Sequence, residues 1–378
     1  MKRSPHQIRL LLLAGALWLG PGVAHATTSP ATAGEARGSW QFSQSEQVAF
    51  GYTDNVMLSA FAPQRSAFGQ ASAELLVLRS TQRGWSFSGY FQGNLKRFHD
   101  QDAAAREQSG WFGRVESRWD PLPALSLRAI VSAFGENSLL DLSESAASRL
   151  VVLTRVQGRS AIAKVRLALS PSLALEVASR PSRNDYRTFS GDFAALEHTA
   201  RLEWQWSRRL LVGLDWRELR RDYDDRTHYT AGGRPLSGTH LSFWQSGGDV
   251  NFTVLLDADG QRRLTLSAGQ TRNRDRASGY FDYRQNRVGL LLDWRAGSWR
   301  FAFDGHYRRD VFTVQTGGLG LAPPARLSAH VQADIRVERA LSRRWSVFGT
   351  VGRDDFGGNL DEFNYLANST SCGLRFTY

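Results

Sequence analysis

The twelve residues Leu327–Glu338, LSAHVQADIRVE, alternate in polarity without a break. Leu327, Ala329, Val331, Ala333, Ile335 and Val337 form one set. Ser328, His330, Gln332, Asp334, Arg336 and Glu338 form the other. A strand has a side-chain period of two, so this stretch carries an apolar row on one face and a polar row on the other. A helix would scramble both rows.

The same rhythm recurs outward from that stretch. Trp85, Phe87, Phe91 and Leu95 oppose Ser86, Ser88, Tyr90, Gln92, Asn94 and Lys96. Ala161, Ala163, Val165, Leu167 and Leu169 oppose Ser160, Lys164 and Arg166; Leu210, Val212, Leu214 and Trp216 oppose Leu211, Gly213, Asp215 and Arg217. Trp299, Phe301, Phe303 and Tyr307 oppose Arg300, Asp304, His306 and Arg308. Connections alternate in length. Short turns at Thr81–Gly84, Asp120–Ala124, Pro171, Arg208–Arg209, Asp257–Gly260, Arg295–Gly297 and Ser342–Arg343 separate longer loops. The long loops are Ser59–Ser66, Asp100–Ser109, Asn137–Gln157, Tyr186–Ala195, Asp224–Thr239, Asp275–Tyr280, Phe312–Arg326 and Asp355–Phe363.

Such a rhythm predicts an all-β transmembrane antiparallel up-and-down barrel of about sixteen strands, with both termini on the periplasmic, short-turn side. Composition agrees. The apolar fraction of 42% and mean hydropathy of -0.37 resemble a soluble protein. A membrane barrel has the same balance, because only every second residue faces lipid.

The ends of the chain set the compartment. Lys2, Arg3 and Arg9 form a positive start, Ile8 to Leu19 is an apolar run interrupted only by Arg9, and Ala24-His25-Ala26 is a small-residue cleavage pattern. Residues 1–26 therefore read as a signal peptide, 27–43 as a periplasmic lead-in and 44–378 as the barrel. Leu374, Phe376 and Tyr378 alternate to an aromatic terminus, and read as the closing strand recognised by the barrel assembly machinery. Trp85, Trp119, Trp206, Trp294, Trp299 and Trp345 all lie beside short turns, as a periplasmic aromatic girdle would. Tyr186, Phe189, Tyr223, Trp244, Tyr280, Phe281, Phe312, Phe356 and Tyr365 lie near long loops and are expected in the outer girdle. Together these features predict the outer membrane of a Gram-negative bacterium.

The formal charge of +11 raises nucleic acid as a partner, but the basic residues are dispersed through alternating strands and the protein is exported. Outer-membrane lipid and lipopolysaccharide suit this charge better. By parity the lumen is expected to carry Lys96, Arg114, Arg118, Arg128, Lys164, Arg166, Arg180, Arg201, Arg217, Arg287, Arg300, Arg308 and Arg336. With them come Glu116, Glu176, Glu203, Asp215, Asp293, Asp304, Asp334, Glu338, His306 and His330. An excess of arginine over carboxylate would favour anions. Asn137–Gln157, the longest loop, either folds inward as a constriction or extends its flanking strands.

Little points to chemistry. No G-x-S-x-G elbow occurs, His240 beside Ser242 is the one local pairing of the catalytic kind, and the Asp222, Asp224, Asp225 cluster lacks calcium-loop spacing. A single cysteine, Cys372, excludes an internal disulfide, and its parity turns it toward lipid. No catalytic, cofactor or metal site is expected.

Gly51-Tyr52-Thr53-Asp54-Asn55-Val56, followed by Ser66-Ala67-Phe68, resembles the opening strand of outer-membrane β-barrel porins often encoded beside exopolysaccharide synthesis genes. Similar openings occur in surface-lipoprotein assembly modifiers, which usually carry a helical-repeat domain before the barrel; here only a short lead-in stands there. The resemblance implies export of polysaccharide or passage of anionic solutes, with polysaccharide export components as partners. A barrel enzyme acting on lipid or peptide, and a plugged surface-assembly barrel, are the alternatives.

Loop alternation fixes a topology that can be measured. Epitope tags within Asp224–Thr239 and Phe312–Arg326 should be accessible on intact cells, whereas tags at Asp257–Gly260 and Arg295–Gly297 should require permeabilisation. The reverse labelling pattern would refute the orientation.

Overall fold

The structure, a computed structural model, describes residues 40–80, 84–99, 106–141, 151–187, 191–317 and 322–378. The expected signal peptide lies outside these residues.

Sixteen strands follow one another. They are β1 (Trp40–Thr53), β2 (Ser66–Ser80), β3 (Trp85–Phe98), β4 (Glu107–Leu122), β5 (Leu125–Asp141), β6 (Val151–Ser170), β7 (Leu173–Tyr186) and β8 (Phe193–Ser207). The second half comprises β9 (Leu210–Tyr223), β10 (Ser242–Leu255), β11 (Arg262–Asp275), β12 (Tyr283–Ala296), β13 (Trp299–Thr316), β14 (Ala325–Ala340), β15 (Trp345–Gly358) and β16 (Tyr365–Thr377). Each pairs antiparallel with its neighbours in sequence, and β1 pairs with β16 to close the barrel. β1 begins at Trp40, inside the stretch read as lead-in.

Alternation decides which side chains meet solvent or lipid. Along β14, Val331 and Ile335 are exposed; along β1, Phe42, Val48, Phe50 and Tyr52 are; along β9, Leu214 and Trp216 are. An ordered row of exposed large apolar groups on every strand is the reverse of a water-soluble sandwich, whose apolar row is buried. This barrel has its apolar row against hydrocarbon and is a bacterial outer-membrane β-barrel. Cys372 lies on the same row and is exposed. At about 3.3 Å per residue, a fourteen-residue strand such as β9 runs about 46 Å, enough to cross a hydrocarbon core while tilted.

Short turns need tight backbone. Gly84, Gly260 and Gly297 adopt left-handed φ of 73°, 67° and 58°, where a Cβ would be strained. Trp85, Trp119, Trp206, Trp294, Trp299 and Trp345 sit at this end and are all exposed; Trp85 and Trp119, paired across β3 and β4, stack at 5.4 Å.

The long connection expected at Asn137–Gln157 is mostly strand. β5 and β6 remain paired as far as Asp141 opposite Val151, because Leu139, Leu140, Val152 and Leu153 continue the ladder. The flanking strands are extended, and residues 142–150 lie outside the described set.

Closure joins the last residue to the first strand. Tyr378 donates its N–H to the Gln44 carbonyl at 2.9 Å, and Gln44 returns one to Tyr378 at 3.2 Å. Phe376 pairs with Glu46 on one side and Trp345 on the other, its ring 4.9 Å from the indole. Deleting Phe376–Tyr378 strips these bonds and exposes an edge, each orphaned group costing several kcal/mol in lipid. The truncated protein should be degraded in the periplasm; normal amounts of heat-modifiable barrel in the outer membrane would contradict this.

Candidate functional site

The row opposite the apolar one is a band of paired charges. On β4, Arg114 lies 2.6 Å from Glu116, whose other oxygen is 3.8 Å from Arg128 of β5. Lys164 of β6 meets Glu176 of β7 at 2.6 Å. Arg166 reaches past β7 to Glu203 of β8, which also holds Arg201 at 3.1 Å. Arg201 then approaches Asp215 at 3.6 Å, and Arg217 pairs with Glu197 at 2.9 Å. Arg287 of β12 forks onto Asp249 of β10, again skipping a strand. Arg300 holds Asp293 at 2.8 Å, and Glu338 is shared by Arg336 and Arg375 at 3.3 and 3.2 Å. The amide oxygen of Gln47 on β1 accepts from both of those arginines.

The remaining predicted residues are placed as follows. Arg118 binds Asp120 at 2.9 Å beside a short turn; Arg308 lies 3.5 Å from Asp310. His306 pairs with Asp304 at 2.6 Å. His330 and the Tyr365 hydroxyl converge on one oxygen of Asp354, at 2.7 and 3.2 Å. Asp334 accepts from Gln332, and the Lys96 ammonium lies 3.8 Å over the Phe68 ring. These groups are mostly half-exposed, so each pair contributes under about 1 kcal/mol, and their shared effect is to fix side-chain positions.

Parity reading missed part of this row. Glu197, Asp249, Asp310 and Asp354 all face it and pair there. They offset part of the expected excess of base, to which Arg295 and Arg375 on the same row add. On β1 to β3 the row is amide-rich instead, with Gln47, Gln70, Gln92 and Asn94.

The loop end differs from the expected aromatic girdle. Tyr223, Phe281, Phe312 and Phe356 are buried, not turned to lipid. Phe193, Tyr223, Leu241, Phe243 and Phe281 form one apolar cluster, with Tyr186, Tyr229 and Tyr280 against it. Phe193, Tyr223 and Phe243 share the polar row's parity, so the cluster sits on that side of the wall. Two loops are built onto it. Tyr229 and Tyr280 stack at 5.5 Å, and Ser278 donates its hydroxyl to the Tyr229 carbonyl at 2.6 Å. The Asp275 carboxylate accepts the N–H groups of Ala277, Gly279 and Phe281, each at 2.9 Å. Asp282 answers by accepting the Asp275 N–H at 2.6 Å, and burial pushes its carboxyl above the ordinary range.

His240 directs Nδ1 at the Asp224 carbonyl, 2.7 Å away, rather than at Ser242. Asp222 and Asp224 are held by Arg220 and Arg183 at 2.9 and 2.5 Å, and no metal-binding group occurs among the described residues.

The resembling motif locks the seam. Asp54 accepts the backbone and side-chain N–H groups of Asn368 on β16 at 2.7 and 2.8 Å. Buried Asn55 donates to the carbonyls of Ser59 and Leu366 at 2.9 and 3.2 Å and accepts the Ser59 N–H at 2.9 Å. Gly51 lies against the Thr370 backbone and the Phe68 ring with no room for a side chain. Val56 and Met57 then pack on Phe68 and Phe98, folding the first loop over the wall.

No protein-family model matches the sequence, and no curated protein matches it. Among solved structures, Pseudomonas aeruginosa OccK8 (OprE) aligns with a TM-score of 0.50 and 10% identity, over 91% of this chain and 99% of that one. The anion-selective porin from Comamonas acidovorans aligns at 0.49 and 11%, over 90% and 100%. The likeness is one of fold alone, a closed antiparallel β-barrel, which in this chain has sixteen strands.

Phe281 touches Phe243, Tyr229 and Tyr280 at once. Phe281→Ala should cost about 3–5 kcal/mol of local packing and release the loop between β9 and β10. External protease should then cut that loop while the barrel stays heat-modifiable. Unchanged protection would refute the packing role.

Proposed function

We propose that the protein is an outer-membrane channel whose polar row lines a water-filled lumen, passing polysaccharide or other polar, anionic solutes. The observation that carries this reading is the set of bonds that pass over intervening strands: Arg166 to Glu203 and Arg287 to Asp249 each skip one, and Arg336 to Gln47 skips two. Side chains converge on the concave side of a curved sheet and diverge on the convex side, so such bonds favour an inward-facing row. A sixteen-strand barrel is wide enough to leave an aqueous path. The sector of β1 to β3 is amide-rich, with Glu74 and Lys96 as its charged members, and its amides offer donors and acceptors that suit polyhydroxylated chains. Polysaccharide as cargo rests on the resemblance of Gly51–Val56.

The paired carboxylates make the anion preference modest. Planar-bilayer reversal potentials at low salt should show weak anion selectivity that fades as salt screens the field. Converting Arg114, Arg201 and Arg217 to Gln should reduce it. Glu116→Gln with Glu203→Gln frees their guanidinium partners and should raise it. A cation-selective channel would overturn the lining. Absence of conductance would overturn the channel in favour of a plugged barrel, with the loops on the aromatic cluster as the plug, or of a barrel enzyme.

A further inference from the structure

On the outer face of β11, β12 and β13 the apolar row ends below the loops. β11 carries Leu264, Leu266 and Ala268, then Gln270, Arg272 and Arg274; β12 carries Val288, then Asn286 and Arg284; β13 carries Tyr307, then Arg309 and, opposite Arg284, a single Val311. Gln270 donates to Asn286 at 2.9 Å at this boundary. Above it Arg272 stands directly opposite Arg284, and Arg309 opposite Asn286, which makes it diagonal to Arg284. All four arginines are exposed. Among the described residues none of the four enters an ion pair, although the Arg274 guanidinium lies 5.9 Å from the Trp244 ring centre.

Like charges directly opposite on neighbouring strands destabilise a sheet. Adjacent strands are about 4.8 Å apart, so Arg272, Arg284 and Arg309 crowd within about 10 Å of barrel wall. Directly beneath lie exposed Leu266, Val288 and Tyr307. The wall therefore presents guanidinium donors above an apolar surface, at the height where an outer-leaflet head group meets its acyl chains.

We propose that this patch binds the phosphorylated head group of the outer-leaflet glycolipid, the phosphates of lipopolysaccharide. Arg272, Arg284 and Arg309 would take phosphate oxygens in forked, charge-assisted hydrogen bonds, and acyl chains would lie along Leu266, Ala268 and Val288. Arg274, over Trp244, extends the cationic edge. A free phosphate would leave the apolar floor unused. A second copy placed by a two-fold axis through the patch would set arginine against arginine. The inference does not depend on whether the barrel conducts.

The test uses the full-length barrel, purified in detergent and freed of lipid, with bisphosphorylated lipid A as probe. Native mass spectrometry and the midpoint of heat-modification read binding. Wild type should bind and be stabilised. R272Q/R284Q/R309Q should bind at least about 100-fold more weakly, at about tenfold for each of two or more lost contacts. R97Q, on the outer face of β3 about half the barrel away, should bind as wild type does. Dephosphorylated lipid A should bind wild type as poorly as bisphosphorylated lipid A binds the triple variant, and inorganic phosphate should give no stabilisation. If the triple variant does not assemble, R284Q alone, checked by heat-modifiability, should show the tenfold loss. Equal binding by variant and wild type, full affinity for the dephosphorylated lipid, or stabilisation by inorganic phosphate alone would each overturn the proposal. So would a wild-type dimer that dissociates in the triple variant, which would assign the patch to a second copy.

Discussion

A peptide N–H or C=O left unpaired in hydrocarbon costs several kcal/mol, and every other feature of this protein follows from avoiding that cost. Sixteen strands can all be satisfied only if the first pairs with the last. The bonds between Gln44 and Tyr378 do this at the short-turn end, and Asp54 with Asn368 does it at the loop end. Closure also forces curvature. Curvature makes the two faces of each strand unequal: apolar groups such as Val331 and Trp216 spread toward lipid, and polar groups crowd together on the other side.

Crowding explains why the polar row is a network rather than a set of free charges. Glu203 is shared by Arg166 and Arg201, Glu338 by Arg336 and Arg375, Glu116 by Arg114 and Arg128. A charged group in such a wall keeps its local dipole but loses much of its field at a distance. Selectivity would then depend on local geometry, on which oxygen or guanidinium edge remains free along a path, more than on the count of arginines.

Period-two alternation is a local property, so individual strands were legible in single stretches such as Leu327–Glu338, whereas the number of about sixteen came from the alternation of turns and loops along the whole chain. Partners two strands away were not. Asp249 lies in Ser242–Leu255, where Ser242, Ser246, Gly248 and Gly247 blur the contrast between faces, and its partner Arg287 is 38 residues distant. The mouth was misread for a related reason. Trp244 and Phe243 are adjacent aromatics at one strand end, and only the register decides that Phe243 joins the buried cluster while Trp244 stays exposed. Tyr223, Phe281, Phe312 and Phe356 give the same lesson. An aromatic near a loop has two apolar destinations in a barrel, and composition does not distinguish them.

The Gly51–Val56 stretch shows how a short motif can be informative without being catalytic. Its polar members sit at the one strand junction whose partners are 311 and 314 residues apart in sequence, the costliest pairing to bring together by chain closure. Asn55 satisfies its own loop and a β16 carbonyl with one side chain, and Gly51 admits the Phe68 ring against the seam. The same residues start the first loop over the wall, where Val56 and Met57 pack on Phe68 and Phe98. Seam closure and the shape of that part of the mouth are thus built from one segment. A substitution at Asn55 would therefore disturb both, although the residue touches neither the charged band nor the lipid-facing arginines.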